Sequence, residues 1–169
     1  VGCSMAVSEN GEVLARGNMI MEGYWEQPDA TADAIHDGYF HTGDGGSIDE
    51  FNYVTISDRK KDVIISGGEN VSSIEVEDAI FQHPDVTEVA VIGIPDEKWG
   101  ELVTVLVVKS PGSELTEADV IAWTRQKLAG YKCPKKVEFR TELARTATGK
   151  LQKFKLRAPF WEGRERQVN

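Results

Sequence analysis

The chain has 169 residues, enough for one ordinary domain or for one small domain with a piece of another. Its formal net charge of −9 argues against a general nucleic-acid-binding protein. No apolar run approaches the roughly 20 residues that span a bilayer, and no signal-peptide pattern follows Val1. Cys3 and Cys133 lie far apart without ligand-like partners, which excludes a disulfide framework and argues against a structural zinc site. We therefore expect a soluble segment of a cytoplasmic protein.

The first part of the chain, residues 1–58, is predicted to be rich in β-structure. A short helix beginning at Pro28 interrupts it, and a turn is expected at 49–52. Strand character, bounded by glycines, is found at 13–16, 38–42 and 52–56.

The pattern changes after Asp62. A short apolar strand at 63–65 ends in a Gly67-Gly68 turn, and a capping box from Ser72 to Glu75 begins a helix that stops at His83-Pro84. Nearly unbroken runs of β-branched residues predict well-buried strands at 89–94 and 102–108. A second helix from Thr116 to Gly130, a strand at 137–139 and a short helix at 151–156 complete the pattern.

This order of elements predicts an α+β fold, with a small C-terminal domain of a three-stranded sheet and packed helices. We place the β-rich piece at 1–58 and the α+β domain at 63–169. The charged step between them, 59–62, suits a hinge whose few residues absorb a large dihedral change.

Charge is unevenly distributed along the chain. From Lys132 to Arg157 there are nine Lys and Arg residues but only two Glu, a local charge of +7, so the remainder carries −16. A basic stretch in an acidic protein indicates a localised anionic ligand such as a nucleotide phosphate, and a solvated basic surface is the alternative.

Lys150 follows Gly149 in the run Arg-Thr-Ala-Thr-Gly-Lys at 145–150, where we expect a mobile, exposed backbone. Its compact ammonium can reach a phosphate or carboxylate oxygen and would matter most where a carboxylate attacks an α-phosphate. The phosphate-loop pattern does not fit, because Ala144 occupies its first position and Leu151 follows the lysine. The alternative is a surface lysine.

Two further residues have a chemistry that suits a nucleotide. Asp44, on a glycine-rich turn, can accept two hydrogen bonds from a ribose diol, although an ordinary turn aspartate is the alternative. Arg59 can bridge ribose and phosphate oxygens, with a surface ion pair to Asp58 or Asp62 as its alternative.

Two motifs carry a resemblance to a known family. Residues 57–71 read Ser-Asp-Arg-Lys-Lys-Asp-Val-Ile-Ile-Ser-Gly-Gly-Glu-Asn-Val, and the 145–150 run follows them. Together they resemble the C-terminal signatures of the adenylate-forming superfamily of acyl-CoA synthetases, peptide-synthetase adenylation domains and luciferases. Tyr39–Asp44 matches a third motif. The resemblance extends from about Gly11 to Arg157 and is closest to a fatty-acyl- or aryl-CoA ligase.

The resemblance implies a role for each matching residue. Lys150 would contact the acyl carboxylate and the α-phosphate during adenylation, Asp44 the ribose, and Arg59 the nucleotide. Ile56 would pack near the adenine or ribose, with a buried strand residue as the alternative. Lys61 would be the hinge residue, and Asp62 is the adjacent alternative.

The resemblance also implies a binding region for coenzyme A. Gly67 and Gly68 would line the pantetheine tunnel, although a plain strand-to-helix turn is the alternative. Trp99 would stack near CoA, with a half-buried packing aromatic as the alternative, and Lys132 or Lys135 would meet the CoA phosphates. His36, His41 and His83 lack the spacing of metal ligands, and we assign no metal ligand.

The implied activity is ATP-dependent acyl-CoA ligation. A carboxylate and ATP give acyl-AMP and pyrophosphate, with Mg²⁺ balancing phosphate charge, and CoA then displaces AMP after a domain rotation. This chain alone is expected to be inactive, because the family places the phosphate loop and acyl pocket in a larger N-terminal domain. The alternatives are a carrier-protein pantetheine as acceptor, or a non-catalytic binding module. Gly45 and Ala144, where the family usually has an aliphatic residue and a proline, support the last.

Overall fold

The computed structural model describes residues 2–164 as an α+β protein, which confirms the predicted fold class. The chain divides into two compact units, of which the first ends at Lys61 and the second begins at Asp62. Residue 1 and residues 165–169, at the outer ends of the two predicted domains, lie outside the described residues. No helix within 2–164 combines the length and apolarity that crossing a membrane requires.

The first unit is an antiparallel sheet built around one long strand. The strand order is β1-β2-β4-β3, and β5 also pairs with β4. Helix α1 (Pro28–Ala34) begins with the predicted proline, whose missing N–H costs nothing in a first helical turn. The strands are β1 (Ser4–Val7), β2 (Glu12–Arg16), β3 (Ile35–His36), β4 (Tyr39–Ile48) and β5 (Val54–Arg59).

Strand β4 runs straight through the glycine-rich segment, so Asp44 lies in a strand rather than on the expected turn. The strand continues because its second half pairs with β5, across a bulge that shifts the register between Gly45 and Gly46. A Cβ on Gly46 would lie 2.5 Å from the carbonyl oxygen of Thr55. Glycine is therefore required where the two backbones approach.

The sheet of the second unit has five strands, not the three expected. The expected number was too small because β6 and β7, each of three residues, form a hairpin at the end of β9. The order is β10-β9-β6-β7, with β8 also paired to β9 and β10 parallel to it. The strands are β6 (Ile64–Ser66), β7 (Glu69–Val71), β8 (Val86–Asp96), β9 (Gly100–Lys109) and β10 (Lys136–Phe139).

The β6–β7 hairpin turns on two glycines. Gly67 and Gly68 have φ values of +64° and +85°, and Ser66 pairs with Glu69 across them. Positive φ at both central residues is what a two-residue type I′ turn needs, and glycine adopts it without penalty. Glu69 and Asn70 belong to β7, which precedes the helix. The alternative, in which the two glycines form a plain strand-to-helix turn, is therefore wrong.

Strands β8 and β9 are buried on both faces, which confirms the prediction from their β-branched runs. Val91, Val103 and Val105 pack with residues of α2 (Ser73–Phe81) and α3 (Glu117–Arg125). On the other face, the apolar cluster joins β8 and β9 to α4 and the segment after it. Its members are Ala90, Ile92, Ile94, Leu102, Leu106, Val108, Leu143, Leu151, Leu156 and Phe160.

The helix ends follow local hydrogen bonds. The Ser72 hydroxyl accepts the N–H of Glu75 at 3.3 Å, as the predicted cap requires, while the Glu75 carboxylate binds Lys132. A reciprocal capping box is present instead at Thr116 and Asp119. Helix α3 ends at Arg125, before the predicted Gly130, and α4 spans Lys153–Arg157.

The aromatic residues after α4 have a packing role. A 3₁₀ turn at Ala158–Phe160 brings Phe160 against the cluster on the second face of the sheet. The indole N–H of Trp161 donates to the carbonyl oxygen of Gly93 at 3.0 Å. This segment therefore attaches to the sheet through the packing of Phe160 and the hydrogen bond of Trp161 to β8.

We predict that Gly93→Ala lowers the free energy of unfolding by about 1–3 kcal/mol, the usual cost of overpacking a filled interior. An added Cβ would collide with the buried carboxylate of Glu101, which accepts the Ile65 N–H at 3.1 Å. The matched control is Gly130→Ala, whose Cβ would meet open space. Urea denaturation of the full-length protein measures both. Equal effects of the two substitutions would contradict this account.

Candidate functional site

Asp44 and Arg59 lie directly opposite each other on β4 and β5. The Nε atom of Arg59 is 3.3 Å from Oδ1 of Asp44, and the side chains are 60 % and 29 % exposed. The structure thus brings together the two residues predicted to bind the nucleotide. The Arg59 guanidinium pairs with Asp44 and not with Asp62, one of the two carboxylates of the alternative, and Asp58, the other, accepts the Arg59 backbone N–H at 2.7 Å. An exposed ion pair of this kind is weak, so a ligand can replace it at little cost.

Ile56 stands on β5 opposite Gly46 and is 50 % exposed. The alternative of a buried strand residue is therefore wrong within this chain. A glycine as cross-strand neighbour leaves the isoleucine side chain uncovered, so its apolar surface is available to a planar ligand.

A buried carboxylate, Glu12, supports the backbone that carries Asp44. Glu12, on β2, accepts the Gly43 N–H at 2.8 Å and a hydrogen bond from Lys60 Nζ at 3.4 Å, and His41 Nδ1 lies 3.4 Å away. Burial acts to raise the pKa of Glu12, but the bond from Gly43, with His41 and Lys60, outweighs it, and the pKa lies below its ordinary value. Glu12 is thus ionised at neutral pH. The sequence analysis did not identify Glu12. Its only signal there was an acidic residue at the start of an apolar strand.

The histidine rings of this unit are close together. His36 and His41 stack with their centroids 3.7 Å apart. Among residues 2–164, no group of three or more His, Cys, Asp or Glu side chains is arranged to hold a metal ion.

Lys150 belongs to a short hydrogen-bonded hairpin. Arg145 and Leu151 form a β-bridge, the Thr146 N–H donates to the Lys150 carbonyl at 2.8 Å, and the Gly149 N–H donates to Thr146 at 2.9 Å. Gly149 has φ +85°, the left-handed conformation that closes a three-residue hairpin loop. The predicted exposure is confirmed. The hydrogen bonds that define the turn were not expected.

The Lys150 ammonium has no hydrogen bond or ion pair to any other group within the described part of the chain, and its side chain is exposed. The ammonium of Lys153, three residues later, is instead bound to other side chains. It binds the Ser73 hydroxyl at 2.7 Å and the Glu77 carboxylate at 2.8 Å, and the Lys153 side chain is only 12 % exposed. Lys150, unlike Lys153, can therefore reach a ligand.

The unit boundary falls beside the predicted hinge. Lys61 is an exposed turn residue and the last residue of the first unit. Asp62, the adjacent alternative, begins the second unit, where its carboxylate accepts a hydrogen bond from Arg157 of α4 at 2.9 Å.

The Gly67-Gly68 turn and Trp99 are neighbours. The Gly67 N–H donates to the Trp99 carbonyl at 2.8 Å, and a Cβ on Gly67 would lie 2.8 Å from the indole ring. Lys135 and Lys98 place their ammonium groups 4.4 and 5.1 Å from the centroid of the Trp99 ring. Two of the predicted CoA segments therefore form one half-buried aromatic surface with two cations beside it.

Lys132 is held elsewhere. Its ammonium binds both carboxylate oxygens of Glu75 at 2.6 and 2.7 Å, and this hydrogen bonding raises the pKa of Lys132. Within residues 2–164, the cations recorded at Trp99 are Lys98 and Lys135. The structure thus separates the two lysines that the sequence left as alternatives.

Comparisons with known proteins show what this chain is similar to. Residues 75–150 match the family described as AMP-binding enzyme C-terminal domain. A feruloyl-CoA synthase from Amycolatopsis is 45 % identical over 152 residues, which cover 90 % of this chain and 31 % of that protein. A long-chain-fatty-acid–CoA ligase from Mycobacterium tuberculosis is 47 % identical over 150 residues, covering 89 % of this chain and 30 % of that protein.

A solved structure shows the same relationship. The crystal structure of ATP-bound MatB from Rhodopseudomonas palustris aligns with a TM-score of 0.86 at 38 % identity, covering 94 % of this chain and 34 % of that one. The chain spans about a third of the length of the curated relatives it matches. Residues 75–150 thus match the C-terminal domain of AMP-binding enzymes, and nearly the whole chain is similar to adenylate-forming CoA ligases.

Proposed function

We propose that the full-length protein is an ATP-dependent acyl-CoA ligase of the cytoplasm. A carboxylate oxygen attacks the α-phosphorus of ATP, giving acyl-AMP and pyrophosphate. The CoA thiol then attacks the acyl carbon, and AMP leaves. The observation that carries the proposal is the pairing of Asp44 with Arg59 at an exposed cross-strand position, in a chain 45–47 % identical to two CoA ligases.

The first unit supplies contacts to the nucleotide. The Asp44 carboxylate accepts hydrogen bonds from the ribose hydroxyls, and the Arg59 guanidinium donates to ribose and phosphate oxygens. Ile56 offers its exposed face to the adenine or ribose. Glu12 keeps the Gly43 backbone in place, so Asp44 projects from a fixed strand.

Lys150 serves the first half-reaction. Its exposed ammonium stabilises the negative charge that gathers as the carboxylate attacks the α-phosphate. Mg²⁺ would balance the phosphate charge of ATP. Residues 2–164 contain no cluster suited to hold a metal ion, so we assign Mg²⁺ no ligand in this chain.

Lys61 is the residue about which the second unit turns between the two half-reactions. Asp62 is fixed to α4 by Arg157, so the dihedral change falls on the residue before it. The larger N-terminal domain, absent from this chain, supplies the rest of the active site and the acyl pocket.

The second half-reaction uses the surface formed by Gly67, Gly68 and Trp99. A turn without side chains lets the thin pantetheine arm pass close to the backbone. Lys135 and Lys98, beside the indole ring, meet the CoA phosphates. The Glu75 carboxylate neutralises Lys132, which makes Lys132 a weaker candidate than Lys135 for binding the CoA phosphates.

The test of the proposed function is ATP–pyrophosphate exchange by the full-length enzyme over a panel of aryl and fatty acids, with mass detection of acyl-CoA after CoA is added. Exchange together with acyl-CoA supports the ligase. Exchange without acyl-CoA points to a carrier-protein acceptor. Absence of exchange with every acid, for an enzyme that also fails to bind ATP, would point to a non-catalytic module.

We predict that Lys150→Ala lowers the rate of adenylation by about 100- to 1,000-fold, the usual effect of removing one group that stabilises transition-state charge. Thioester formation from supplied acyl-AMP and CoA should keep the wild-type rate. The matched control is Lys155→Ala, an exposed lysine of α4. Equal loss of both half-reactions in Lys150→Ala would refute this division of labour.

We also predict that Lys135→Ala raises the KM for CoA about tenfold, corresponding to about 1.4 kcal/mol of lost binding, and leaves ATP–pyrophosphate exchange unchanged. Lys127→Ala is the matched control, because Lys127 lies 4.7 Å over the ring of Trp123 in a similar cation–π contact. A KM for CoA that stays the same in Lys135→Ala, or rises as much in Lys127→Ala, would exclude Lys135 from CoA binding.

A further inference from the structure

Arg145 holds the hairpin that presents Lys150. We propose that Arg145 and Glu88 form a brace that fixes the position of Lys150 for adenylation, which makes Arg145 a positioning residue. The inference rests on the proposed function and adds to it a residue that acts only through Lys150.

The contacts of Arg145 reach in two directions. Its Nε and Nη2 atoms donate to Oε2 of Glu88 at 2.9 and 2.6 Å. Its Nη1 atom donates to the carbonyl oxygen of Gly149 at 2.8 Å. One guanidinium therefore ties the residue immediately before Lys150 to β8, although 57 residues separate Arg145 from Glu88 in the chain.

The chain after Lys150 is fixed to the same strand. Lys153 binds Glu77 of α2 at 2.8 Å, and Glu77 accepts the N–H of Val91 in β8 at 2.8 Å. Lys150 thus stands between two attachments that both end at β8. The brace is the attachment on the loop side, where the hairpin is also held by its own backbone, by threonine hydroxyls and by the packing of Leu151 in the apolar cluster.

The geometry requires arginine rather than any cation. Three N–H groups of the planar guanidinium are used at once, two on Glu88 and one on Gly149. A lysine ammonium is a point charge that keeps the attraction to Glu88 but does not reproduce this fork.

The brace contributes little to the free energy of unfolding. The side chains of Arg145 and Glu88 are 42 % and 30 % exposed, and exposed ion pairs contribute little to folding. Its effect is on geometry, since a small displacement of a catalytic group costs rate without unfolding the protein.

The test measures the two half-reactions separately in the full-length enzyme. We expect Arg145→Ala to lower kcat for ATP–pyrophosphate exchange about 10- to 100-fold, with an unchanged KM for ATP. Thioester formation from supplied acyl-AMP should keep the wild-type rate. Arg145→Lys should recover part of the loss. The control is Arg140→Ala, which removes an arginine of similar exposure, 46 %, paired with Glu138.

Glu88→Ala removes the acceptor side of the brace and does not depend on the folding of the arginine variants. It should lower adenylation alone, and combining it with Arg145→Ala should add little further loss, since both remove one interaction.

The outcomes separate the inference from the function on which it rests. Normal exchange by Arg145→Ala, or an equal loss of both half-reactions with a lower unfolding temperature, would overturn the brace while the ligase stands. A wild-type enzyme without exchange would overturn both.

Discussion

The pairing of β8 with β9 is the constraint on which the second unit depends. The two strands pair over almost their whole length, and their alternating side chains supply apolar residues to both faces of the sheet. One face is closed by α2 and α3, and the other by α4 and the turn after it. A one-residue change of register would move each set of side chains to the opposite face, where the packing does not fit it, so these strands are a rigid reference for whatever is attached to them.

The residues of this unit that we propose to bind ligands lie at the edges of the β8–β9 pair. The glycine turn lies at the end of β9 beside Trp99, and the Lys150 hairpin is attached to β8 by charged side chains. Neither feature contributes much to the core. The groups that we propose to bind a ligand thus lie outside the core, while the most buried part of the unit determines their positions. In the first unit, β4 serves similarly, since it carries Asp44 between β2 and β5.

Local patterns predicted most of the fold. Buried β8 and β9 follow from their β-branched runs, α1 from its proline, and the exposure of Lys150 from the glycine before it. What could not be predicted depends on partners distant in sequence. Strand β7 exists only because β6 lies beside it, Glu12 meets Gly43 across two strands, and Lys132 is distinguished from Lys135 by Glu75, 57 residues earlier. Ion pairs leave no periodicity in a sequence. Sequence motifs therefore identify the candidate site residues, but only the strand topology shows which of them lie together.

The packing of Phe160 and Trp161 on the sheet has a consequence for biosynthesis. Strands β8 and β9 leave the ribosome long before the segment that covers their second face, and α4 with its following turn comes last among the described residues. Until that segment emerges, the apolar surface around Ile92 and Leu106 has no cover from its own chain. The nascent protein therefore presents an uncovered apolar sheet in that interval, and chaperone binding would protect it from association with other chains.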